Sequence, residues 1–177
     1  MGGWISLAFA AAHPDRVERL VVVDAAGLRF DPDLTLERAL LPETIDDMRM
    51  LIRANFQRPV RLPAFVLRDL LRVAKRDAVP RTALLQRLVY GDEHVDAHLE
   101  RITMPCLVVW GRHDPLTPVA LGERLAVTIP GAEMVVFENA AHSPNVEEPE
   151  RFNALLRDFL RRRVTLNDRD TPVAALG

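Results

Sequence analysis

Cysteine occurs once in this chain, at Cys106, so no disulfide can close within it and a cysteine-based zinc site lacks its ligands. Lysine also occurs once, at Lys75; every other member of the 23 basic residues is arginine. With the abundance of alanine, that skew reads as bacterial GC-rich codon usage rather than chemistry. No block of like charge stands out and the net charge is −2, so nothing points to nucleic acid or to an anionic membrane surface. No apolar run approaches the ~18 residues of a membrane span. No leader precedes the first helix-like segment, which is the expectation for a cytoplasmic protein provided that Met1 is the true start. The opening residues fit the short M-G-x-x-x-[ST] lipidation pattern, which carries little weight in a bacterial composition. Serine is scarce as well, with only Ser6 and Ser143.

The chain is rich in apolar residues, 49% of the total, arranged in two periods. Leu20 to Val23, Cys106 to Trp110 and Met134 to Phe137 are uninterrupted β-branched or aliphatic runs, the pattern of strands covered on both faces. Residues 4–12 are an almost wholly apolar helix, stopped at His13 because the residue before Pro14 is pushed out of the helical region. Residues 119–129 read as an amphipathic helix joining the second strand to the third. Phe152, Leu155, Leu156, Phe159 and Leu160 form the stripe of a final helix, with its start in Asn145 to Pro149. Residues 33–98 lack strand-like runs and carry helical stripes instead: Met48, Leu51 and Ile52; Val66, Leu67, Leu70, Leu71 and Ala74; Leu84, Leu85 and Leu88. Residues 164–177 read as a polar tail.

Two turns carry chemistry. The second strand runs into Gly111-Arg112-His113-Asp114-Pro115, and the third into Glu138-Asn139-Ala140-Ala141-His142-Ser143. In a parallel sheet both turns fall at the carboxyl edge, where ligands bind. There a carboxylate and an imidazole can pair, the acid fixing the tautomer of the base and stabilising its protonated form. Asp24, just past the first strand, reaches the same edge and is an alternative acid; its plainer reading is a turn residue before Gly27. His94 and His98, four apart, would share a helix face and could hold a metal, but the glutamate of H-E-x-x-H is missing. His13 reads as a helix terminator and His113 as a solvent-facing turn residue.

G-R-x-D-x-x-x-P after a strand, with Ala141-His142-Ser143-Pro144-Asn145-Val146-Glu147-Glu148-Pro149-Glu150-Arg151-Phe152 beyond it, resembles the closing half of α/β-hydrolase-fold proteins. Met1-Gly2-Gly3, with His13-Pro14-Asp15-Arg16-Val17 further on, is similar to the end of the nucleophile elbow G-x-S-M-G-G of that family and the stretch after it. The resemblance covers about 1–28 and 100–162. It implies an α/β fold, a partial α/β-hydrolase fold with three mostly parallel strands and flanking helices. Core segments 1–32 and 99–163 would be interrupted by an inserted helical cap over 33–98. Asp114 would be the triad acid, His142 the general base, and Met1 would sit where an oxyanion-hole N–H is donated.

The nucleophile would stand just before Met1. Ser6 lies within a helix, Ser143 is tied to its neighbour His142, and Cys106 opens a buried strand, so none of them replaces it. The chain is then expected to be one of three things: an intact esterase-like hydrolase with a misplaced start, a catalytically inactive fragment, or one half of a split enzyme. The codons just upstream separate them. The substrate would be a small molecule, with no cofactor and no metal, and an exposed sheet edge would invite self-association.

Overall fold

The computed structural model describes residues 1–30, 41–59, 61–91 and 94–162. The expected tail, the beginning of the 33–98 segment and the side chains of Leu84, Leu85 and Leu88 lie outside the described residues.

Helix α1 spans Gly2–Ala12, beginning two residues earlier than its apolar run, and closes on His13, whose N–H still donates to the Phe9 carbonyl at 2.9 Å. A single 3-10 turn, Pro14–Arg16, leads to strand β1, Leu20–Val23. Helices α2 (Ile45–Asn55), α3 (Ala64–Arg76) and α4 (Ala78–Tyr90) and a 3-10 helix, Asp96–Arg101, separate β1 from β2, Cys106–Gly111. Helix α5 (Val119–Thr128) connects to β3, Glu133–Phe137. The chain then forms a short α6 (Pro144–Glu147) and a longer α7 (Pro149–Arg161). The sequence pattern places one helix start in Asn145 to Pro149, and the structure has two helices instead. Pro149 has no N–H to continue α6, and Glu148 leaves helical geometry at φ −128°.

Among the described residues the three strands form one parallel sheet in the order β1-β2-β3, with Val23 beside Val109 and Val109 beside Val135. The central strand is buried along its whole length. Its alternation divides the core in two. Cys106, Val108 and Trp110 face α1 and α5 through Leu7, Ala10, Leu121 and Leu125, whereas Leu107 and Val109 face Phe137 and Phe159 of α7. This two-sided burial is why β2 reads as an unbroken apolar run rather than an alternating one.

Helices α2 to α4 pack mainly on one another, whereas the 3-10 helix Asp96–Arg101 packs on α1. Met48, Leu67 and Ala74 form a separate apolar cluster with Leu51, Ile52 and Leu71 around it, while Leu70 turns to solvent. Helix α2 is fixed at its start by a reciprocal cap. The Thr44 hydroxyl accepts from the Asp47 N–H at 3.1 Å, and the Asp47 carboxylate accepts from the Thr44 N–H at 2.9 Å. No helix among the described residues is long and apolar enough to cross a membrane.

Candidate active site

Because all three strands run the same way, their carboxyl ends deliver three loops to one edge of the sheet. Asp24 comes after β1, Asp114 after β2 and His142 after β3. Backbone bonds continue the ladder into these loops: the Asp24 N–H donates to Val109 at 3.1 Å and the Arg112 N–H to Phe137 at 3.0 Å. The loops press together at Gly111. A Cβ there would lie 1.8 Å from the Ala141 carbonyl oxygen, so only glycine lets the aspartate turn and the histidine turn meet.

Asp114 is buried, and four hydrogens converge on its carboxylate. Oδ1 accepts from the Leu116 N–H at 2.8 Å and the Thr117 N–H at 3.1 Å. Oδ2 accepts from the Thr117 hydroxyl at 2.6 Å and from Nδ1 of His142 at 2.8 Å. Trp110 steadies the turn from beneath, its indole N–H donating to the Thr117 carbonyl at 2.7 Å. The imidazole is only partly exposed, its side chain at 28%. With Nδ1 spent on the carboxylate, Nε2 is the nitrogen left to exchange a proton. A pair of this kind, with the acid held by fixed donors, can orient a base and stabilise its cation.

Glu147, on α6, ties this centre to the helices above it. One of its oxygens accepts from the Ala141 N–H at 2.7 Å, and the other accepts from the Gln57 N–H at 2.7 Å, just past α2. A cavity of about 340 Å³ opens beside this contact, lined by Arg53, Phe56, Gln57, Pro59, His113 and Ala141. A slightly larger one, about 390 Å³, borders Arg29, His94, Asp96 and Arg124, and neither cavity is lined by Asp24, Asp114 or His142. The smaller cavity is the one that bears on the site, since its wall includes the neighbour of His142.

The structure thus brings Asp24, Asp114 and His142 together, with one ligand-type atom of each within 4.8 Å of the others. Met1 is an exposed residue at the start of α1, with burial of its terminal amine lowering that group's pKa. The pairing of His94 with His98 fails. No α-helix carries both, because the chain there is a 3-10 helix beginning at Asp96, and His94 stacks on Trp4 instead. His113 is exposed, as its place in the turn suggests. Cys106 lies at the opposite end of β2 from Asp114, and burial pushes its thiol up to about 12. Thr117, Glu147 and Gly111 do not stand out in the sequence as site residues. The proline-bracketed turn Pro115 to Pro118 is the only local sign of Thr117, and nothing local signals the long-range contact of Glu147.

A family profile described as "Alpha/beta hydrolase family" matches residues 1–155. The pimeloyl-[acyl-carrier protein] methyl ester esterase of Neisseria meningitidis serogroup B is 31% identical over 173 residues, covering 90% of this chain and 66% of that protein. The 2-hydroxy-6-oxononadienedioate/2-hydroxy-6-oxononatrienedioate hydrolase of Burkholderia vietnamiensis is 28% identical over 182 residues, 92% of this chain and 60% of that one. Among solved structures, a meta-cleavage product hydrolase from Pseudomonas fluorescens superposes with a TM-score of 0.72 at 25% identity, covering 89% of this chain and 61% of that one. The chain therefore spans about two thirds or less of the length of these proteins.

Proposed function

The chain belongs to the alpha/beta hydrolase family, and from that premise we propose that it supplies the acid and the general base of a hydrolase acting on an ester-like bond in a small substrate. The observation that carries the reading is the 2.8 Å hydrogen bond from His142 to a buried Asp114, at the carboxyl edge of a parallel sheet. Nε2 of His142 takes the proton of a nucleophilic hydroxyl as that oxygen attacks the carbonyl carbon. The imidazolium so formed is stabilised by Asp114 and returns the proton to the departing alcohol. A water molecule, deprotonated by the same nitrogen, then releases the acid. The Met1 nitrogen would stand toward the oxyanion, and the helices over residues 33–98 would act as a cap enclosing the acyl group. The esterase named among the relatives supports an ester as the bond.

The nucleophile, in this reading, comes from polypeptide outside the 177 residues. Ser6 lies within α1, the Thr117 hydroxyl is held by Asp114, and Cys106 is buried as a neutral thiol. Assayed on p-nitrophenyl acetate and butyrate, the chain alone should show no turnover above a denatured control. Extended by its upstream reading frame to include an elbow serine, it should hydrolyse both. Turnover by the chain alone that His142→Ala abolishes would place a nucleophile inside it and overturn the reading.

A further inference from the structure

Asp24 holds the most unusual backbone position at this edge. It is the one non-glycine residue with a positive φ among those described, at 43°, and it is 4% exposed. Aspartate tolerates that left-handed geometry better than most residues, yet the conformation persists only where surroundings impose it. They do so through two hydrogen bonds: its N–H donates to the Val109 carbonyl, and its Oδ1 accepts from the Gly111 N–H at 2.9 Å. The result aims the side chain inward, toward Asp114.

Its second oxygen, Oδ2, is buried and receives no hydrogen from any described residue. Asp114 is its side-chain neighbour, and two carboxylate oxygens have no hydrogen to share unless one of them is protonated. No described cation bonds to Asp24. Two adjacent buried anions without a counter-ion are far costlier than one anion and one acid. Asp114, with four donors, is the better anion of the two; Asp24, with one, is the better acid.

We propose that Asp24 is a positioning residue that stays protonated and donates its Oδ2 hydrogen to Asp114, so that the pair carries a single negative charge opposite the imidazole of His142. This rests on Asp114 and His142 being the acid and base proposed above, and it gives Asp24 a role other than substitute acid. The arrangement holds the Asp114 carboxylate from the side away from its turn. It also sets an alkaline limit, since loss of the Asp24 proton places a second charge beside the imidazole. Burial, reinforced by Asp114 and more distantly by Glu147 and opposed by the Gly111 N–H, pushes the Asp24 carboxyl up to about 8. The titratable groups on the elements around it are Asp114, His142, Glu147 on α6 and the terminal amine of Met1, where α1 packs on Ala25.

The test is an NMR titration of the full chain from about pH 5 to about pH 10, a range that brackets the Asp24 value. It tracks the Asp24 carboxyl carbon and the His142 ring and needs no turnover, so its failure is distinguishable from failure of the hydrolase reading in the ester assay. The wild-type Asp24 carbon should titrate near pH 8, and the His142 ring signals should move with it at that pH. Asp24→Asn, which keeps an acceptor for Gly111 and supplies an N–H to Asp114, should lose that movement near pH 8. Asp24→Ala should also lose it, and in addition should broaden the His142 signals as Asp114 loses its support. An Asp24 carbon that titrates in the ordinary carboxylate range, below about pH 5, would overturn the proposal with no variant required. So would a movement of the His142 ring signals near pH 8 that survives in Asp24→Asn.

Discussion

Gly111 does at its position what no other residue type would do there. A methyl group at residue 111 meets the Ala141 carbonyl at 1.8 Å, and backbone cannot yield as a side-chain tip would. Gly111→Ala should therefore cost about 3 kcal/mol of stability by urea unfolding, at the upper end of overpacking effects, and should separate the Asp114 and His142 loops. The Asp24 carboxyl leads to a pH prediction whose sign comes from linkage. Its folded value, about 8, lies above the ordinary 3.8, so folding takes up a proton between them. The stability it contributes is complete below about pH 4 and is lost as the pH rises through about 8. Asp24→Asn has no such proton to lose. Its urea midpoint should gain on the wild type steadily from about pH 5 to about pH 8 and then hold level. A difference that stays flat, or that grows toward low pH, would show Asp24 to be ionised in the folded chain.

The strands, α1, α5 and the edge location of Asp114 and His142 are legible directly in the sequence, because each comes from local periodicity or from a motif at fixed spacing. Cys106 to Gly111 is buried on both faces, and its residues report that without any knowledge of partners. Contacts between distant segments leave no such trace. Glu147 reads as one acid among several in a helix start, yet its carboxylate joins the Ala141 N–H to the Gln57 N–H, the latter 90 residues away along the chain. The break between α6 and α7 is hidden for a related reason, since the apolar stripe of α7 continues the helical signal past Pro149. Glu147→Ala should leave both amides without an acceptor. It should lower stability by about 1–2 kcal/mol and speed hydrogen exchange at Ala141 and Gln57 well before that of β2. Equal exchange at those amides in the two proteins would mean that the strut carries nothing.

At the scale of the whole molecule, the sheet has an open side. Among the described residues β1 pairs only with β2, and on α1 nearby Ile5 and Phe9 are 61% and 43% exposed. An unpaired parallel edge flanked by apolar side chains favours association. The isolated chain should therefore elute from size exclusion as oligomers by light scattering; a sharp monomer peak with a cooperative melt would contradict this. Which carboxylate serves His142 is the central question of the site, and kinetics decide it most directly. In the chain extended to include its nucleophile, kcat on p-nitrophenyl butyrate should fall by about 10⁴ for Asp114→Ala, the scale of losing the orienting acid of a triad, and by no more than about tenfold for Asp24→Ala. The reverse order would make Asp24 the acid and contradict the assignment of Asp114.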